Sequence, residues 1–249
     1  MKVGIIGNTV LTYKTAQFLL SRGCHIAYVF GLPPEKLKNK VNAYDLKSFC
    51  RENKIQYIED NDWSRIQDIS VDMVYEMGDS RIVPKSFVNS HTVIGNHGAL
   101  LPAVQGAASL VWGRILNSGE WGVSLMKLSE EIDGGDVLNT KKVFYEKSII
   151  SMKEFAEMCD NITIECVKEH FDGKHKPKSN RPWQVKVAKN LDSSKVVDIL
   201  KLCLEKGIAV YLPPRRPKDG KINNNWDPEF VSNFMIANDT PYPRYFTEE

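Results

Sequence analysis

His97 and Asn96 stand side by side just after a short apolar run, Val93-Ile94, and Asp133 follows 133 − 97 = 36 residues on, ahead of the pair Gly134-Gly135. An imidazole, a carboxamide and a carboxylate can together serve a reaction that passes through a negative oxygen. His97, when protonated, can donate to such an oxygen, and it can take part in moving a proton. Asp133 can accept a hydrogen bond from His97 or from an ordered water. Asn96 offers an amide donor where the backbone lets it reach. The glycines after Asp133 let backbone approach a ligand closely. No histidine or carboxylate spacing suggests a metal, and this chemistry needs none.

The elements that must position these groups are legible around them. Val93-Ile94 reads as a buried strand stopping at Gly95-Asn96-His97-Gly98, and the end of a parallel strand is where open α/β sheets place ligands. An amphipathic helix is expected from Gly106 to Leu116 and a further strand from Gly122 to Met126. At the start of the chain, strand Val3–Ile6, helix Leu11–Arg22 and strand His25–Phe30 make a β-α-β opening, so a parallel sheet follows. Gly7-Asn8-Thr9 completes no dinucleotide fingerprint and no Walker-type loop. It reads either as a loop of backbone donors for a substrate phosphate or as a plain strand-to-helix turn. A helix over Ala43–Glu52 and strands over Gln56–Ile58 and Val71–Tyr75 continue the pattern. Ser151 and Glu154 form a capping-box pattern ahead of a core stripe at Phe155, Met158, Ile162 and Cys166.

Composition narrows the class. The chain has 249 residues, 42% apolar and 26% charged, as in an ordinary globular protein with one large domain and a smaller appendage. Its net charge of 33 − 31 = +2 makes no electrostatic case for nucleic acid. Five scattered cysteines with no Cys-x-x-Cys pair read as reduced thiols of a cytoplasmic protein. No apolar run reaches the roughly 20 residues needed to span a membrane. Between Lys168 and Lys189 seven basic residues face two acidic ones, Glu169 and Asp172. That stretch reads as a solvated linker or as an attraction for a phosphorylated substrate. It places the main domain at residues 1–185 and a small C-terminal α+β subdomain at 186–249, with a helix over Ser194–Glu205, a strand over Ile208–Leu212 and a hairpin-turn signal at Asp219-Gly220.

His97, Leu100-Leu101-Pro102, Gly122-Val123-Ser124 and Asp133-Gly134-Gly135 fall in the order of the pattern Asn-x-His, Leu-Leu-Pro, Gly-x-Ser/Thr, Asp-x-Gly. In this the chain resembles the formyltransferase family, enzymes that move a formyl group from 10-formyltetrahydrofolate to an amine. The resemblance implies an α/β fold: a Rossmann-like, mostly parallel sheet flanked by helices, with a small C-terminal appendage. It implies Asn96, His97 and Asp133 as catalytic residues. It implies a folate site built from Gly78, Ser80, Arg81, Ile82 and Val83 together with Ala99, Leu100, Leu101 and Pro102. The tail, Arg215 to Ile222 with Trp226 and then residues 240–247, resembles that of nucleotide-sugar N-formyltransferases, while the centre also resembles methionyl-tRNA formyltransferases. The implied acceptor is the amine of a nucleotide-linked amino sugar. A methionyl-tRNA or other amine acceptor, and a folate-binding protein without transfer activity, are the alternatives. A homodimer is a further expectation.

Two positions depart from the pattern. Gln105 stands where the family often has arginine, and Gly95 stands where the family asparagine belongs, with Asn96 one place on. Neighbours on a regular strand point to opposite faces. Asn96 therefore joins His97 only if a bulge at Gly95 redirects it; on a regular strand the two point apart.

Overall fold

The computed structural model describes residues 1–37, 42–79, 81–147, 150–239 and 244–247. Ser80 and residues 240–243 of the tail lie outside the described residues. The chain opens as β1 (Lys2–Ile6), α1 (Val10–Ser21) and β2 (His25–Gly31), followed by α2 (Pro34–Leu37), α3 (Lys47–Glu52), β3 (Gln56–Glu59) and α4 (Ser64–Gln67). Then come β4 (Met73–Glu76), α5 (Lys85–Ser90), β5 (Val93–His97), β6 (Val104–Gly106), α6 (Ser109–Leu116), β7 (Glu120–Lys127), β8 (Val137–Phe144) and α7 (Met152–Phe171). The last elements are β9 (Gln184–Lys186), α8 (Ser193–Glu205), β10 (Ala209–Leu212), a 3-10 turn at Pro217–Gly220 and α9 (Pro228–Ala237).

Among the described residues the main sheet has seven strands in the order β3-β2-β1-β4-β5-β7-β8. The ladders from β3 through β5 are parallel. The fold is thus the expected α/β one, a mostly parallel sheet flanked by helices. β1 explains why short apolar runs become central strands: Val3, Ile5 and Ile6 are fully buried, as strands covered on both faces are. Gly7 and Thr9 spend their amides internally. Gly7 N–H donates to Phe30 O at 3.1 Å and Val10 N–H to Asn42 O at 2.9 Å. Thr9 N–H donates to Thr12 Oγ1 at 3.0 Å, one half of the capping box that starts α1. The segment is a strand-to-helix turn with two of its three amides engaged. The box expected at Ser151 forms too: Ser151 N–H donates to Glu154 Oε2 at 2.9 Å and Glu154 N–H to Ser151 Oγ at 3.2 Å.

The chain divides into two compact units, each discontinuous in sequence. The first holds residues 1–96, 125–139 and 163–179. Its core is Ile6, Tyr28, Phe30, Ile58, Ile66, Val74, Phe87 and Val93, with Trp63 and Leu128 packed at the margin. The second holds residues 97–124, 140–162 and 180–249. It contains a small sheet unforeseen from the sequence, β6-β10-β9, all parallel. The 185/186 boundary falls inside β9, because part of the basic stretch is a strand rather than a linker. Strands of three residues leave almost no period to read. β6 and β10 approach closely at Gly106, whose φ of +96° and whose contact with the Leu212 backbone admit no side chain.

In this second unit α6 packs on α8 and α9. The Asp219-Gly220 signal gives no hairpin. Pro217 opens a 3-10 turn there, and Arg216 N–H donates to Asp219 Oδ2 at 2.6 Å, which closes the chain on itself before a strand can leave. The Arg215 guanidinium lies 4.7 Å from the Trp112 ring centroid and 5.1 Å from that of Phe234. It donates to Asp219 O at 2.9 Å and to Asn238 Oδ1 at 2.8 Å. Burial pulls its pKa down to about 10.

Asp192 caps α8. Its Oδ1 accepts from Ser194 N–H at 2.9 Å and from Trp226 Nε1–H at 2.8 Å. Burial works to raise the carboxyl pKa, but the hydrogen bonds from Ser194, Trp226 and Asn223 outweigh it and the net shift is downward. Asp192→Ala is expected to cost about 1–2 kcal/mol at neutral pH, the usual worth of such a cap. A depressed carboxyl pKa stabilises the fold above the unfolded-state value and loses that contribution as pH falls through the folded-state value. The gap between wild type and variant in urea denaturation should therefore narrow below about pH 3.8, the ordinary value for this group. A gap that is flat from pH 7 to 3 would refute the electrostatic part.

Candidate functional site

β5 ends on the residues singled out above. Its register with β4 is unbroken from Val93 to Gly95, with Gly95 opposite Glu76, and Gly95 does not adopt a positive φ. The bulge considered for Gly95 is absent from this ladder. Asn96 follows within β5, and its Oδ1 accepts the Gly78 N–H at 3.0 Å. The structure thus brings together two predicted site residues, Asn96 and Gly78, and leaves the Asn96 carboxamide N–H groups as its remaining donors.

Within the first unit the loop after β4 is tightly organised. Glu76 Oε1 accepts Asp79 N–H at 2.9 Å. Arg81 is not a loose surface charge. Its guanidinium pairs with Asp79 at 2.6 Å, donates to Asp60 O at 2.9 Å and lies 4.3 Å from the Phe30 ring centroid. These contacts hold the loop; they commit the Arg81 head group inside the protein. Ile82 beside it is 74% exposed, unusual for so large an apolar side chain. Among the described residues no hydrogen bond engages the backbone of Ile82 or Val83. Asp133 sits in the β7–β8 loop with φ +53°, a left-handed conformation that aspartate tolerates better than most residues. Gly134 N–H donates to Glu131 O at 3.1 Å, and Gly135 lies so close to the Lys127 carbonyl that a side chain there would collide with it.

Within the second unit the spacing of the motif acquires a physical reason. Ser124 Oγ donates to Ala99 O at 2.7 Å and accepts Leu101 N–H at 2.8 Å, so one hydroxyl pins both ends of the apolar turn. Gly122 lacks the Cβ that would strike the Leu100 side chain. Trp121 Nε1–H donates to Gly98 O at 2.7 Å. Gly-x-Ser on β7 is therefore the seat of Leu100-Leu101-Pro102. His97 is 7% exposed. Its Nε2 lies 3.0 Å from Val104 O, and since a carbonyl only accepts, Nε2 carries the proton and Nδ1 is the basic nitrogen of the neutral ring. Gln105 is buried and donates to Asn180 Oδ1 at 3.3 Å. A cavity of about 570 Å³ opens beside the turn, with Leu100, Val104, Trp121, Lys142, Lys147 and Lys201 in its walls.

Ser124 and Glu76 are the groups whose importance sequence reading missed. Ser124 was quoted as part of a pattern without a task. Glu76 had a signal, a charge ending the apolar run Met73-Val74-Tyr75 at the ligand-bearing edge of a sheet.

Known proteins share the fold and the sequence pattern of the chain. A methionyl-tRNA formyltransferase from Myxococcus xanthus is 28% identical over 176 residues, 69% of this chain and 48% of that protein. One from Thermodesulfovibrio yellowstonii is 23% identical over 257 residues, 98% of this chain and 75% of that protein. The chain spans about half the length of several such relatives. Among solved structures, the sugar 3N-formyl transferase WlaRD, in the presence of dTDP and 5-N-formyl-THF, has a similar fold, with a TM-score of 0.66, 16% identity, and 95% and 78% of the two chains covered. So does an N-formyltransferase from Helicobacter canadensis in complex with folinic acid and dTDP-3-aminofucose, at a TM-score of 0.64, 14% identity, and coverage of 95% and 80%. With the family model for formyl transferase matching residues 23–169, more than half of its length, the chain belongs to the formyl transferase family.

Proposed function

We propose that the protein moves a formyl group from 10-formyltetrahydrofolate to the amine of a nucleotide-linked amino sugar. The observation that carries the folate half is the segment Ile82-Val83. It offers backbone N–H and C=O groups engaged by nothing among the described residues, beside an apolar side chain held out in solvent. Such a segment suits a flat heterocycle that needs both hydrogen bonds and an apolar contact. In this reading Gly78 and Arg81 serve the folate segment, Arg81 by fixing its loop, and Ala99, Leu100, Leu101 and Pro102 are the further folate positions that the resemblance implies. His97 and Asp133 serve the transfer, His97 stabilising the developing oxyanion once Nδ1 carries a proton and Asp133 orienting the groups around it. Asn96 contributes by anchoring Gly78 through its Oδ1. The sugar half is supported by the cavity of about 570 Å³ beside Leu100, a size ordinary for small-molecule sites, whose lysines suit phosphate.

Incubating the protein with 10-formyltetrahydrofolate and a panel of nucleotide-linked amino sugars should give one product heavier by a formyl group. The curated relatives favour methionyl-tRNA as the second candidate acceptor, and the same assay with that acceptor separates the two. No mass gain with any amine would refute the transferase reading. Calorimetry with 5-formyltetrahydrofolate should show saturable binding that Ile82→Asp weakens by about tenfold or more, roughly 1.4 kcal/mol. Unchanged affinity in that variant would move the folate elsewhere.

A further inference from the structure

Position 95, where the family pattern puts an asparagine, holds a glycine, yet the space beside it is filled. A Cβ built on Gly95 would stand 2.6 Å from Leu128 Cδ2 and 3.1 Å from Glu76 Oε2. Gly95 and Glu76 are register partners on adjacent parallel strands, so their side-chain directions coincide. Glu76 is 8% exposed. The Asp79 N–H bond to Oε1 fixes the carboxylate, and Oε2 is the oxygen turned to the position of the missing asparagine.

We propose that Glu76 takes the place of that asparagine and acts as the proton acceptor for the incoming amine. This rests on the formyltransferase reading above. The change of residue type changes the task. An asparagine can donate to an oxyanion; an ionised carboxylate has no proton to donate and repels negative charge. It attracts an amine, whose N–H groups it can accept and whose proton it can take. In the transfer, the amine nitrogen forms a bond to the formyl carbon and the carbonyl π pair moves to oxygen. One amine proton passes to Glu76. The oxygen pair then returns, the bond from the formyl carbon to N10 breaks, and N10 takes up that proton. The sum is a formamide and tetrahydrofolate, with no proton gained or lost. A side chain at 95 would meet Leu128 first and would also crowd the carboxylate, so glycine there leaves the space to both.

Glu76→Gln is the direct test. Glutamine keeps the acceptor for Asp79 N–H, so a purely structural Glu76 predicts a variant that works. The proposal expects kcat to fall by about a hundredfold or more, the scale of a lost general base. It expects the acid limb of the pH–rate profile to disappear while 5-formyltetrahydrofolate binds as before. Turnover within about threefold of wild type, with an unchanged profile, would overturn it. A second measurement needs no turnover. Gly95→Asn should lower the melting temperature, and Glu76→Ala should return part of that loss in the double variant, because neighbours that compete for one space are not additive. Additive effects would overturn the placement of Glu76. If wild type formylates amines and Glu76→Gln does too, only this proposal fails. If wild type binds no folate and formylates nothing, the transferase reading fails and the role of Glu76 with it.

Discussion

His97→Ala and Asp133→Asn should each slow formyl transfer by at least about a hundredfold, the scale on which oxyanion and acid-base groups act. The two substitutions test different things. The His97 ring is held by its Nε2 bond to Val104 O, so alanine removes the basic nitrogen and frees a buried carbonyl at once. Its melting curve must be recorded beside its rate, since an orphaned carbonyl costs about 1–3 kcal/mol by itself. Asp133→Asn is cleaner. Asparagine accepts the left-handed backbone at that position as readily as aspartate, so the backbone is kept while the charge and one acceptor oxygen go. Single-turnover rates near wild type for a folded Asp133→Asn protein would remove Asp133 from the proposed chemistry.

The second large effect concerns stability. Arg215→Ala should lower the unfolding free energy by about 3 kcal/mol, measured by urea denaturation. Its hydrogen bonds to Asp219 O and Asn238 Oδ1 involve a charged donor, worth about 1.5–3 kcal/mol each at most. Two rings flank it as well, and a cation over an aromatic face adds about 0.5–2 kcal/mol. Against these stands the cost of holding a partly buried cation, visible in its lowered pKa. The contacts win because alanine strands two acceptors and leaves a gap between Trp112 and Phe234. Arg215→Met, which keeps the stem between the rings, should lose about half as much. Equal losses for the two variants would show that the stem contributes little and the head group dominates.

The main sheet was legible because its strands are short apolar runs with helical periods between them, and that arrangement has few solutions. The motif at His97, Leu100-Leu101-Pro102, Gly122-Val123-Ser124 and Asp133 was legible as an order of residues. Its cause was not: nothing in a linear chain shows that one hydroxyl at 124 ties residues 99 and 101. Nor could Asn96 be placed from the sequence, since a bulge and a regular strand spell alike. The ladder with β4 runs without a bulge as far as Gly95. Asp219-Gly220 misled because a strong local turn signal was overruled by Pro217 and by a side-chain bond to Arg216 N–H. The small sheet was invisible, for three-residue strands such as β6 and β9 carry no period and depend wholly on distant partners.

That small sheet also bears on how the protein is made. Among the described residues β6 is an edge strand beside β10, and Val104 pairs with Val210 across more than a hundred residues. A ribosome adds about 5–20 residues per second. The apolar stretch around residue 104 therefore waits several seconds, with unsatisfied backbone, for the strand that completes it. During that interval it offers a template to any extended segment nearby, another nascent chain included. A nascent chain arrested before residue 209 should be markedly stickier than one arrested after 212, and a chaperone that covers short apolar edges would find its substrate in the first and not in the second.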